Sequence, residues 1–92
     1  MYTNIAMERR IHTWRSERKA LEEDLDAIWL EMQRLCRKHS VQAGESMLQA
    51  LLALLDTEAK IPAIQYYAAY NAREAQASLL TEIIQALQTE LS

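Results

Sequence analysis

An apolar heptad pattern in the first part of the chain is the feature that most constrains how it can fold. Between residues 4 and 39, apolar side chains recur at alternating steps of three and four residues. This spacing is typical of a helix that packs lengthwise against another helix. The pattern predicts a long helix with an apolar seam, carried by Met7, Ile11, Trp14, Leu21, Leu25, Ile28, Met32 and Leu35.

The composition favours helix throughout. Among 92 residues there is one Gly, one Pro and no Phe, and half of the residues are apolar. Ala, Leu, Gln and Glu, which are good helix formers, are abundant, whereas no run of alternating β-branched residues is present. The length is that of one small domain. We therefore predict a single all-α domain over residues 1–92.

Breaks in the periodicity divide this domain into three helices. We predict helix 1 over about residues 4–39, a turn at 40–45 around Gly44, and helix 2 over about 46–59, with Ser46 or Ser40 as its cap. A break near 60–62 follows, because Pro62 is unfavourable inside a helix but favoured at the first helical position. Helix 3 then covers about 62–91. Whether Pro62 kinks a continuous arm or begins a separate helix stays open.

The lengths of these helices predict association. At 1.5 Å per residue, helix 2 spans about 21 Å, whereas helices 1 and 3 span about 54 and 45 Å. Helix 3 also carries two apolar rows, which indicates two neighbours. We therefore expect a helical hairpin or a long–short–long three-helix bundle with a coiled-coil-like seam, completed by a homodimer or, as the main rival, by a different protein. The expected interface comprises Met7, Ile11, Trp14, Arg18, Leu21, Leu25, Tyr66, Tyr67, Tyr70, Leu80, Ile84 and Leu87.

Residues that carry catalysis or bind cofactors do not form a recognisable pattern. The spacing of His12, His39 and Cys36 does not match a set of metal ligands. The acidic residues between Glu22 and Asp26 fan around a helix, as on a solvated face. We therefore expect no enzyme activity, no metal, no cofactor and no small-molecule substrate, and we expect Cys36 to behave as a small buried apolar side chain.

A basic stretch over residues 9–19 suggests nucleic acid as an alternative partner. Acidic residues interleave with this stretch, and the whole chain has a net charge of −3. Binding to phosphates requires a net basic face. We therefore treat a nucleic-acid-binding helical dimer as the less favoured hypothesis, with phosphate contacts from Arg9, Arg10, Arg15 and Lys19.

The long–short–long order of helices in about 90 residues resembles the all-helical chorismate mutases. These are dimers that hold a dicarboxylate between arginines and a lysine, so the resemblance implies a substrate-binding role for Arg18. The chain departs from that family in helix 2, which lacks the family's acidic residue followed by an Arg-Glu pair. Helix 3 offers a single cation, Arg73. An enzyme of this architecture is the third hypothesis.

The apolar helical surface, which is large for the length of the chain, favours a protein-binding role. Tyr66, Tyr67 and Tyr70 are the best candidates for a recognition patch, because tyrosine combines a large rigid surface with a polar tip. We therefore predict a protein–protein interaction module, such as a small adaptor, a chaperone or an inhibitor. A lone cysteine and the lack of a long apolar segment favour a cytoplasmic protein without a membrane span.

Overall fold

The computed structural model contains three α-helices in the order long, short, long. They are α1 (Tyr2–Lys38), α2 (Met47–Leu54) and α3 (Lys60–Leu91). The structure describes residues 2–91, with side chains from residue 5 onward, and no strand occurs in this part of the chain. The all-α prediction and the long–short–long architecture are confirmed.

Helices α1 and α3 form an antiparallel hairpin, and two arginines mark its register. Arg18 of α1 donates from Nη1 to Thr81 Oγ1 of α3 over 3.4 Å. Nearer the connection between the helices, Arg73 Nε of α3 lies 3.5 Å from Asp24 Oδ2 of α1. The molecule is a rod of 58 × 19 × 15 Å. We call the end where α1 stops and α3 starts the closed end, and the opposite end the open end.

The core is concentrated at the closed end, where α2 packs against both long helices. Its members are all less than 10% exposed: Met32, Cys36, Met47, Ala50, Leu51, Leu54, Ala59 and Ala63. Outside this cluster, only Ile11 and Ile84 are buried among the described side chains. Since α2 has eight residues and α1 has 37, most of the hairpin consists of two helices without a third to cover them.

We expect two leucines of α2 to differ sharply in their contribution to stability. Leu54 is 0% exposed and Leu52 is 58% exposed. Leu54→Ala leaves a cavity in the core and should lower the free energy of unfolding by about 2–5 kcal/mol. Leu52→Ala, two residues away and on the opposite side of α2, should change it by less than about 0.5 kcal/mol. Urea denaturation followed by circular dichroism measures both, and equal losses would contradict the position of the core.

Helix α1 ends in a motif that normally requires glycine. Ser40 has a φ of 58°, in the left-handed region. The Val41 N–H donates to the Cys36 carbonyl over 2.9 Å, and the Ser40 N–H donates to the Arg37 carbonyl over 3.2 Å. These two bonds define a Schellman motif, which satisfies the last carbonyls of the helix. Serine at this position carries a steric cost of about 1–2 kcal/mol that glycine avoids.

Ser40→Gly should therefore stabilise the protein. Removing the steric cost outweighs the extra freedom of glycine in the unfolded chain, so we expect a gain of about 0.5–1 kcal/mol. Ser16→Gly is the control, because Ser16 is exposed within α1 and glycine inside a helix should cost about 0.5 kcal/mol. Thermal unfolding of the two variants should shift in opposite directions. A loss of stability in Ser40→Gly would contradict the motif.

The start of α2 is fixed by side chains of the preceding turn. Ser46 is the N-cap, and its Oγ accepts from the Gln49 N–H over 3.1 Å, which confirms one of the two predicted caps. Gln49 Oε1 in turn accepts from the Glu45 N–H over 2.6 Å. Gly44 has a φ of 75°, and a Cβ at this position would lie 2.7 Å from Gln49. The turn therefore needs its glycine both for backbone conformation and for space.

The junction between α2 and α3 differs from the prediction at both boundaries. Helix α2 ends at Leu54, five residues earlier than predicted. Thr57 stops it there, because its Oγ1 donates to the Leu54 carbonyl over 2.7 Å and accepts from the Ala59 N–H over 3.1 Å. Helix α3 begins at Lys60, so Pro62 is its third residue. The first N–H groups of a helix lack intrahelical partners, so proline removes no bond there. Pro62 thus belongs to the first turn of a separate helix.

Candidate functional site

The predicted interface residues of the seam divide into two groups. Ile11 and Ile84 are 5% and 2% exposed, so both belong to the contact between α1 and α3 and have little surface left for a partner. The remaining seam residues are only half-buried, because a two-helix contact covers each seam on one side. These are Met7, Trp14, Arg18, Leu21, Leu25, Leu80 and Leu87.

A groove follows the line between α1 and α3 near the middle of the rod. It encloses about 470 Å³ and is predominantly apolar. We call it the leucine groove, and its lining comprises Glu17, Ala20, Leu21, Asp24, Gln76, Leu79 and Leu80. Leu79 is 56% exposed, so a large apolar side chain stands at its edge without a neighbour that shields it.

The second apolar row of α3 continues this groove along the helix. The sequence indicates two neighbours for α3, yet α1 packs against only the first row. In the second row Ile64 and Leu79 are exposed and Ile83 is half-buried. The other positions of this row are exposed alanines, namely Ala68, Ala72, Ala75 and Ala86. The second predicted neighbour is therefore not supplied by the described part of this chain.

A second concavity lies where the start of α2 meets the two long helices. It encloses about 360 Å³. We call it the tyrosine cleft, and it is lined by Trp29, Glu45, Ser46, Met47, Leu48, Tyr67, Tyr70, Asn71 and Glu74. On α3, its residues lie about 80–180° around the helix from those of the leucine groove. The two concavities therefore occupy different sides of the hairpin.

The tyrosine cleft combines aromatic walls with an acidic rim. Trp29, Tyr67 and Tyr70 are half-buried and also pack against the core cluster, which holds their rings in place. Glu45 and Glu74 are exposed. Neither carboxylate is within 4.0 Å of a cationic group of the described residues. The cleft can therefore accept an apolar group and, at its rim, a positive charge.

The predicted tyrosine patch is thus only partly brought together. Tyr67 and Tyr70 line the cleft, whereas Tyr66 packs against the core cluster and does not line it. Glu45, Leu48 and Glu74 also line the cleft and were not predicted as site residues from the sequence. Leu48 offered a signal, because leucines surround so much of α2 that an eight-residue helix cannot bury all of them; it is 50% exposed.

The arginines singled out in the seam are engaged within the hairpin. Arg18 is half-buried, bonds to Thr81, and lies 4.0 Å from Glu22 Oε1. Arg73 pairs with Asp24 and donates to the Ala69 carbonyl over 3.2 Å. Arg18 and Arg73 therefore both help to set the register between α1 and α3, which is a common role of polar residues in an apolar seam.

The basic stretch of α1 is exposed but does not form one face. Arg9, Arg10, Arg15 and Lys19 are all exposed. Consecutive residues of a helix point about 100° apart, so these four side chains spread over more than half of the circumference. A phosphate backbone that follows one side of α1 would meet only part of this charge.

Cys36 lies in the closed-end core. It is 1% exposed, and desolvation by burial raises the pKa of its thiol above the ordinary value. A thiol reacts through its thiolate, so both the raised pKa and the lack of access slow its reaction.

We expect iodoacetamide at pH 8 to alkylate Cys36 at least roughly tenfold more slowly in the native protein than in the chain unfolded in guanidinium. In the native protein the reaction requires local opening of the core, because the buried thiol is not accessible. Mass spectrometry of timed samples measures the two rates. Equal rates would show that the α2 core does not shield this side chain.

Comparisons with known proteins did not assign a family or a function to this chain. No protein-family model, no curated protein and no solved structure matches this chain. Within residues 2–91, no group of three His, Cys, Asp or Glu side chains is placed to hold a metal ion. No helix in the described range has both the length and the apolar character needed to cross a bilayer.

Proposed function

We propose that this protein is a non-enzymatic protein-binding module that recognises its partner at the tyrosine cleft. The observation that carries the proposal is the meeting of Trp29, Tyr67 and Tyr70 around one concave site. Trp and Tyr dominate the energetics of protein interfaces, since each buries a large surface with few rotatable bonds. Half-exposed Leu48 extends the apolar area at the rim.

The charges of the cleft define the chemistry of the partner. Glu45 and Glu74 contribute two negative charges without an ion-pair partner in the described part of the chain. An approaching Lys or Arg gains from both, and opposite charges at an interface rim also speed association. We therefore expect a partner segment with an apolar or aromatic anchor and a basic residue beside it.

This cleft also favours a protein over a nucleic acid. Its two acidic side chains repel phosphates, and the basic residues of α1 are spread around their helix. Phosphate binding depends on concentrated positive charge, which neither surface supplies. An adaptor, chaperone or inhibitor role remains compatible with one apolar anchor site.

Co-purification from the native host with a matched pair of variants tests the proposal. The cleft variant is Leu48→Gln with Glu74→Lys. The control is Leu52→Gln with Glu23→Lys, which makes the same chemical changes at exposed positions outside the cleft. The wild type and the control should recover a stoichiometric partner. In calorimetry with the purified partner, the cleft variant should bind at least about tenfold more weakly, a loss of about 1.4 kcal/mol.

Two outcomes would overturn this proposal. One is a partner that binds the cleft variant and the control equally well. The other is recovery of this chain alone, without any second protein, at every concentration. Circular dichroism of both variants should match that of the wild type, because all four substituted side chains are exposed.

A further inference from the structure

We infer that the leucine groove is the contact between two copies of this chain, which pack face to face as a four-helix bundle. The leucine groove and the tyrosine cleft are different surfaces, so this inference does not depend on the proposed function. It starts from the exposed second row of α3 and from the half-buried leucines of the seam. Leu21 and Leu80 line the groove and are covered on one side only, while Leu79 is 56% exposed.

The exposed area is too large for a compact monomer of this mass. The chain has an accessible surface of 6628 Å² and a mass of 10.6 kDa. A compact monomer of that mass exposes about 5,500 Å², so the excess is about 1,100 Å². A stable interface of standard size buries about 800 Å² on each partner. A second copy that covers one long side of the rod would therefore bury an area similar to this excess.

The position of the groove suits a two-fold contact. Leu21 is close to the middle of α1 (Tyr2–Lys38), and Gln76 is close to the middle of α3 (Lys60–Leu91). A contact centred there lets two rods overlap over their full length of 58 Å. A contact near one end would leave half of each rod uncovered if the two rods pointed in opposite directions. The exposed alanines of α3 allow close approach of a neighbouring helix.

Two face-to-face arrangements of such a dimer bring different helices together. If each α1 packs against the other α1, residues 5–19, with a net charge of +3, lie beside residues 20–38, with a net charge of −2. If each α1 packs against the other copy's α3, residues 5–19 lie beside residues 78–91, which also have a net charge of −2. Both arrangements therefore place opposite charges across the contact. In the second, the two-fold axis is parallel to the helices, so both open ends are at the same end of the bundle.

Molar mass in solution tests the contact. Light scattering coupled to size-exclusion chromatography should give twice 10.6 kDa for the full chain and 10.6 kDa for Leu79→Glu. Ser78→Glu is the matched control, since Ser78 is exposed, adjacent in sequence and about 100° away around the helix. It should remain dimeric. Circular dichroism should show equal helicity in the two variants, because both residues are exposed.

Pulsed electron–electron double resonance measures the distance between spin labels on the two copies and thereby tests how the two rods are arranged. A spin label at Thr89→Cys, with Cys36→Ala to leave one thiol, marks the open end. If each α1 packs against the other copy's α3, the two labels lie within about 25 Å, given helix spacings of about 8–10 Å. If each α1 packs against the other α1, the labels are separated by nearly the length of the rod.

The outcomes separate this inference from the proposed function. A monomeric wild type at all concentrations, or a Leu79→Glu variant that is still dimeric, overturns the second copy at the groove. A label distance that fits neither the spacing of neighbouring helices nor the length of the rod overturns the face-to-face bundle. If two copies pack at the leucine groove, the monomeric Leu79→Glu variant should still bind the partner of the tyrosine cleft. The cleft variant should still dimerise.

Discussion

The packing of α2 against one end of a long hairpin is the contact on which the rest of this structure depends. Leu54, Met32 and Cys36 are fully buried there, and the closed end thereby acquires a three-helix core. An eight-residue helix covers about 12 Å of a rod that is 58 Å long. The remaining length is a two-helix contact, in which each seam is shielded on one side only.

This uneven coverage creates both concave surfaces of the hairpin. Where α2 begins, its first residues meet Trp29 and Tyr70 and form a cleft with two exposed carboxylates at its rim. Where α2 is absent, the other side of the hairpin leaves Leu21 and Leu80 half-covered and Leu79 exposed. An aromatic, acidic cleft suits a basic peptide segment, whereas a long apolar groove suits another helix pair. The two surfaces therefore differ in the chemistry of the partner that each would fit.

Much of the fold was predictable because its signals are local. The heptad seam and the cap at Ser46 depend on residues within a few positions of one another, and both are present in the structure. The end of α2 was not predictable from periodicity, since leucines continue to Leu55. Thr57 ends the helix through its hydroxyl bonds to Leu54 and Ala59. Burial differed even between Ile11 and Leu25, which occupy equivalent positions of the same seam.

The sequence by itself determined that the chain is helical, that a turn lies around Gly44 and that the apolar surface is large, because helix periodicity and capping act over one or two turns. Only the tertiary structure decided which apolar residues stay uncovered and which distant residues meet. Trp29, Leu48 and Tyr70 belong to three different helices, and their meeting depends on where α2 packs. That position follows from the fit of α2 against both long helices together, which no single segment encodes.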